Sequence, residues 1–157
     1  MAAYFFDTSA LAKRYVTEIG TPWVQSVADP AAQNRLYVVR ITLVELVSAI
    51  TRRKKNGDLT SAIADPALAS LRSKFDSDYD VIEVTSVLVS RAEALAEKHA
   101  LRGYDAVQLA AAVQVYLAYV AVGQATNQPL PILISADIDL NMAAQAEGLT
   151  VDDPNTH

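Results

Sequence analysis

Four acidic residues stand where a carboxylate needs a reason to be: Asp7, Glu45, Asp105 and Asp137. Asp7 ends the apolar run 2–6. Glu45 lies in Ile41-Thr42-Leu43-Val44-Glu45-Leu46-Val47, with apolar neighbours on nearly every side. Asp105 opens an alanine-rich stretch, and Asp137 follows the apolar run 131–135 with Asp139 two residues on. Aspartate between a strand and a helix is a favoured N-cap, because its carboxylate accepts orphan backbone N–H groups, so Asp7, Asp105 and Asp137 each have a plain structural use. Glu45 falls about a turn inside its helix, too late for a cap, and an unpaired buried carboxylate is costly. Its structural alternative is an ion pair with Arg40 or Arg102. Asp139 reads as a solvated or supporting acid.

Several carboxylates on one rim cannot all ionise unless something positive joins them. Mg²⁺ or Mn²⁺ answers that need, since both take oxygen ligands and leave coordination positions for water. Such a site suits phosphoryl chemistry, activating water and steadying the leaving oxygen. Thr8 and Ser9 follow the first acid and either support the site or cap a helix start. Rival chemistries lack their residues. There is no cysteine for a thiol nucleophile or zinc-thiolate site, and only His99 and His157 for a histidine-dependent one. A phosphatase with Asp7 as nucleophile wants a second acid two residues on, where the chain has Ser9.

The elements that must position these acids are legible as apolar runs and helical patterns. Runs at 2–6, 36–39, 81–85 and 131–135, with a weaker one at 149–151, are near-continuous in apolarity, as in strands buried on both faces of a parallel sheet. Helical patterns cover 9–16, 21–28, 41–55, 66–76, 86–99, 104–122 and 137–147. Their alternation predicts an α/β domain with one crossover carrying more than one helix. In an open parallel sheet the ligand crevice lies beyond the carboxyl ends of the strands, where Asp7 and Asp137 sit and which Glu45 and Asp105 can face. The run 106–122 is apolar apart from Gln108 and Gln114. Its alanine content, two amides and opening Asp105 favour a helix buried through Val107, Leu109, Val113, Tyr116 and Leu117 over a membrane span.

A chain of 157 residues, 52% hydrophobic and 20% charged, is expected to form a single domain over residues 1–157 and is too apolar to be disordered. No basic stretch precedes the first apolar run and Asp7 interrupts it, so no signal peptide is expected and a soluble cytoplasmic protein is. The net charge of −5 opposes general affinity for nucleic acid. Removing the four acids leaves 14 acidic against 13 basic residues, a net of −1, so a cation at the acidic site would leave a nearly neutral body. Arg52-Arg53-Lys54-Lys55 at the end of the Glu45 helix, and Lys13 with Arg14, are candidate contacts for a polyanion. Basic residues at a helix C-terminus also complement its dipole.

The residues also resemble a family. Tyr4-Phe5-Phe6-Asp7-Thr8-Ser9-Ala10-Leu11 is similar to the start of PIN-domain ribonucleases, in particular VapC-type toxins of toxin–antitoxin pairs. Ile41-Thr42-Leu43-Val44-Glu45-Leu46 resembles the second acidic motif, and Leu101-Arg102-Gly103-Tyr104-Asp105-Ala106-Val107-Gln108-Leu109-Ala110 the third. Ser135-Ala136-Asp137-Ile138-Asp139-Leu140 resembles the fourth. The resemblance implies a PIN-like three-layer α/β/α fold around a five-stranded parallel sheet. It implies endonucleolytic RNA cleavage at a Mg²⁺ or Mn²⁺ site of Asp7, Glu45, Asp105 and Asp137, supported by Thr8 or Ser9. Lys13, Arg14, Arg52 and Arg53 are then candidate RNA contacts. The resemblance also implies a homodimer and a cognate antitoxin, while the composition of 106–122 already argues for no membrane partner. Gln108 departs from a common histidine and Ile138 from a common basic residue, and the stretch 127–131 looks longer than in compact relatives. The alternative is a catalytically inactive PIN-like scaffold that binds RNA or a protein.

Overall fold

The computed structural model describes residues 1–126 and 128–157. Of the stretch 127–131 singled out above, Asn127 lies outside the described residues. Five strands, β1 (Ala3–Phe6), β2 (Arg35–Val39), β3 (Asp80–Ile82), β4 (Ile132–Ile134) and β5 (Thr150–Asp152), form one sheet in the order β3-β2-β1-β4-β5. Every pairing is parallel, with Tyr4 of β1 beside Leu36 of β2 on one side and Ile132 of β4 on the other. The helices are α1 (Thr8–Tyr15), α2 (Thr21–Val27), α3 (Ile41–Lys55), α4 (Ser61–Asp78), α5 (Ser86–His99), α6 (Gly103–Thr126) and α7 (Ile138–Ala146). Three of the four crossovers carry two helices each, not one of them as the sequence pattern suggests.

Both faces of the sheet are covered, which is why its strands read as continuous apolar runs. Phe5, Tyr37, Val39 and Leu133 point into a core shared with Leu88, Leu95, Leu109 and Leu140 of α5, α6 and α7. Phe6, Leu36, Val38 and Ile134 point the other way, against Leu11, Val24, Leu46, Leu71 and Phe75 of α1 to α4. The result is the expected α/β/α three-layer arrangement. The chain builds outward from β1 through β2 to β3, then returns across the sheet to β4 and β5. The switch leaves a crevice beyond the carboxyl ends of β1 and β4.

Three element boundaries differ from the sequence reading. Helix α4 begins at Ser61 and carries Pro66 inside it, where proline was read as a start. Burial of Ala64 and Ala67 against Val16, Ile50 and Leu59 offsets the lost backbone hydrogen bond. Strand β3 stops at Ile82, and Thr85 instead caps α5, its Oγ1 accepting from Leu88 N at 3.1 Å. Helix α6 runs past Val122 to Thr126. Over Gly103–Val122 its mean hydropathy of 1.5 meets the length and composition of a membrane span. In the fold its apolar side serves the core through Leu109, Ala110–112, Val115 and Tyr119, whereas Leu117, expected to be buried, is 47% exposed.

Leu109→Ala should therefore cost about 2–5 kcal/mol in urea denaturation, the range for truncating a buried leucine. Leu117→Ala should change stability by no more than about 0.5 kcal/mol.

Candidate active site

Strand β1 delivers Asp7 to the crevice, and the backbone joins it to the neighbouring strand there, Asp7 N donating to Ile134 O at 3.1 Å. The Asp7 side chain does cap α1: Oδ1 accepts from Ala10 N at 3.0 Å. It also accepts from Ser9 Oγ at 2.8 Å, and that hydroxyl in turn accepts from Ala136 N at 2.9 Å, tying the start of α1 to the loop after β4. The carboxyl is 4% exposed. Burial raises its pKa from the ordinary 3.8 to about 7, against the hydrogen bonds from Ala10, Ser9 and Ser135, which lower it. Capping and a perturbed carboxyl thus coexist in one residue.

Glu45 is the fifth residue of α3 and projects from its first turns toward Thr8 and α6. Thr8 Oγ1 donates to Glu45 Oε2 at 2.7 Å. Gln108, on α6, is 1% exposed and reaches three oxygens with Nε2: Thr8 Oγ1 and Thr42 Oγ1, both at 2.9 Å, and Glu45 Oε1 at 3.4 Å. Three oxygens facing one end of the amide fix its orientation, with the NH₂ toward them. Gln108 Oε1 is left buried without a hydrogen-bond partner among the described residues. Burial pushes the Glu45 pKa up, the bonds from Thr8 and Gln108 oppose that, and nearby Asp105 adds to it.

Asp105 is the third residue of α6, inside the helix and not at its cap, in a first turn where the helix dipole favours an acid. Its pKa is raised first by burial, then by Asp137, with Arg102 acting the other way and Asp139 adding a further rise. Asp137 caps α7, Oδ1 accepting from Leu140 N at 2.9 Å. Asp139 is exposed on the next turn of chain.

The structure therefore links the acids in a chain. Glu45 and Asp105 line one cavity of about 450 Å³ with Thr8. Asp105 feels Asp137 and Asp139, and Asp7 lies behind, joined to the Asp137 loop through Ser9. None of these five acids makes an ion pair among the described residues. The alternative of an Arg40 partner for Glu45 does not hold, because Arg40 pairs with Asp76 and Glu83. No three acids or histidines among the described residues lie close enough to enclose one ion. Magnesium typically takes only one or two carboxylates and fills its shell with water and phosphate. By donor chemistry, unpaired carboxylates with raised proton affinity suit such an ion.

Three of the four basic candidates are engaged elsewhere. Lys13 is 5% exposed and pairs with Glu18 at 3.5 Å, Arg14 pairs with Asp78 and Tyr79, and Arg53 pairs with Glu18. They knit α1, α3 and the end of α4 together, which gives each of the three a structural role. Arg52 alone of the four lines the cavity. Thr42 and Ser135, both fully buried, were missed as site residues. The signals were a hydroxyl three residues before Glu45 on the same helix face, and one two residues before Asp137.

No protein-family model matches the chain. Two curated relatives do: Ribonuclease VapC45 and Ribonuclease VapC49, from two Mycobacterium tuberculosis strains, each 30% identical over 118 residues that cover 73% of this chain and 78% of theirs. The chain belongs to the VapC ribonuclease family. Its fold is also that of solved structures: PAE2754 from Pyrobaculum aerophilum (TM-score 0.60, 18% identity, 99% of this chain and 91% of that one) and VapBC2 from Rickettsia felis bound to a DNA fragment from their promoter (0.59, 15%, 96% and 98%). FitAcB from Neisseria gonorrhoeae is similar to the same degree (0.60, 14%, 96% and 97%). The VapC-type PIN fold expected from the four motifs is thus the fold observed.

The raised Asp7 pKa carries a sign for stability. The fold favours the protonated carboxyl, so its contribution is complete below pH 3.8 and is lost as pH rises through about 7. Asp7→Asn keeps the cap and removes the titration. Metal-free Asp7→Asn should lose less stability than the parent between those values and be more stable by a few kcal/mol above neutrality, as read by chemical denaturation across pH.

Proposed function

We propose that this chain is a metal-dependent endoribonuclease that hydrolyses RNA phosphodiester bonds, and that it is the toxin of a type II toxin–antitoxin system. The observation that carries the reading is the string of carboxylates at the β1/β4 crevice, none in an ion pair among the described residues, in a VapC-family chain. Asp7, Asp105 and Asp137, with Glu45 facing Asp105, are the residues that would hold Mg²⁺ or Mn²⁺. When bound, the ion supplies positive charge that acidifies water and neutralises phosphate oxygens.

The chain's own residues do the rest. Ser9 and the Ala10 amide fix the Asp7 carboxylate by hydrogen bonds to its oxygens. Thr8 and Gln108 hold Glu45 at both of its oxygens, so it cannot rotate away from the cavity. In the hydrolysis, water adds at phosphorus and the bond from phosphorus to the leaving nucleotide oxygen breaks. The water's proton passes to a cavity carboxylate, and the leaving oxygen takes a proton from solvent. Glu45 and Asp105 line the cavity together and are placed for the accepting role. A cognate antitoxin, a homodimer and a cytoplasmic setting belong to the same reading, supported by membership of the VapC family.

Purified protein should cut a mixed pool of structured RNAs at discrete positions with Mg²⁺ or Mn²⁺ and not with EDTA. Asp7→Asn and Asp105→Asn should each lower the rate by at least about 100-fold, while the metal-free variants melt no lower than the parent. The same ions should raise the melting temperature of the parent. Cleavage that persists in excess EDTA would overturn the metal reading, and metal-dependent stabilisation without cleavage of any RNA would favour a scaffold.

A further inference from the structure

The loop that carries Asp137 has its backbone held from several sides. Strand β4 ends at Ile134, whose carbonyl accepts from Asp7 N at 3.1 Å. The next residue, Ser135, still reaches β5 by donating its N–H to Asp152 O at 3.2 Å. Ala136 N donates to Ser9 Oγ at 2.9 Å, and Asp137 N donates to Ser135 Oγ at 3.1 Å. The Ser135 hydroxyl also bonds the Asp7 carboxyl. Fully buried, Ser135 thus joins Asp7 to the backbone of Asp137, and whatever fixes it fixes the spacing of the two acids.

Asn141, one turn after Asp137 on α7, does this. Its Nδ2 donates to Ser135 O at 2.9 Å, and its own N–H donates to Asp137 O at 2.9 Å. A single residue therefore bonds the carbonyls at both ends of the loop 135–137. The amide has one orientation, because turning it over would set its oxygen against the Ser135 carbonyl. Asn141 Oδ1 is then buried with no hydrogen-bond partner among the described residues. A buried acceptor without a donor costs stability, so half of this amide works against the fold. Leucine has nearly the same size and suits a helix better, but it would leave Ser135 O unbonded. The asparagine serves the loop and not the core.

Resting on the ribonuclease reading, we propose that Asn141 is a positioning residue of the active site: acting through Ser135, it sets the place of the Asp137 carboxylate relative to Asp7, and is itself neither a metal ligand nor an RNA contact. An ion with strict geometric demands depends on the spacing of the few carboxylates that hold it. Residues that orient such ligands therefore govern metal affinity and activity from behind the site.

The test compares the full chain with Asn141→Leu, which keeps the size and removes the donor, and with Asn141→Ala in case leucine disturbs the packing. The leucine variant removes one orphaned acceptor and creates another, so its metal-free melting temperature should move little. Exchange of the Ala136 and Asp137 amides, followed by NMR without metal, should be about tenfold faster in the variants. Mn²⁺ affinity by isothermal titration should fall about 10–100-fold. At saturating Mn²⁺, kcat on an RNA that the parent cuts should fall over the same range, with KM for the RNA unchanged. In an Asp137→Asn background the change at Asn141 should have little further effect on Mn²⁺ affinity, because the carboxylate it places is gone. Parental exchange, affinity and kcat in the variants, or a loss that adds in full to that of Asp137→Asn, would overturn the positioning role and leave the ribonuclease reading standing. If the parent neither binds Mn²⁺ nor cuts RNA, both fall.

Discussion

The functional end of this molecule depends on carboxylates set into a crevice where none of them makes an ion pair among the described residues. Asp7 is the extreme case: it is buried between two parallel strands and the first helix, and its own hydrogen bonds do not offset the cost of desolvation. Nothing in the core requires this, since asparagine would cap α1 as well. The buried carboxyl therefore carries an electrostatic cost, and in the proposed hydrolysis a divalent cation would offset it.

The topology explains why acids far apart in sequence act together. Parallel strands put all their carboxyl ends on one edge, and the reversal of building direction at β1 opens the crevice there. The residue after β1, the loop after β4 and a helix that starts just after β2 then share that edge. Helix α6 reaches it from the far face of the sheet, and its long alanine-rich stripe lets its backbone pack closely enough for Gln108 to touch both Thr8 and Thr42. One buried amide so connects three elements and holds Glu45 in place.

Much of this is legible in the sequence, for identifiable reasons. Strands buried on both faces appear as unbroken apolar runs, and an acid that ends such a run marks its carboxyl end, so the sheet and the places of Asp7 and Asp137 could be read directly, whereas Glu45 and Asp105 stand out only as acids within apolar helical stretches. Pro66 misleads because a local breaker is overridden by packing of Ala64 and Ala67. Leu117 misleads because a helix this apolar has no clear polar face to orient it. The roles of Arg14 and Arg53 are invisible because each depends on a partner brought in by the fold, such as Asp78, 64 residues from Arg14.

The proposed function requires the crevice carboxylates to accept a divalent cation. Isothermal titration of Mn²⁺ into the metal-free chain just below neutral pH, in buffers of different protonation enthalpy, tests it most directly. Binding should release about one proton per ion as the raised Asp7 carboxyl ionises, and Asp7→Asn should remove that release and weaken binding. Absence of binding, or binding with no proton released and no response to Asp7→Asn, would contradict the account.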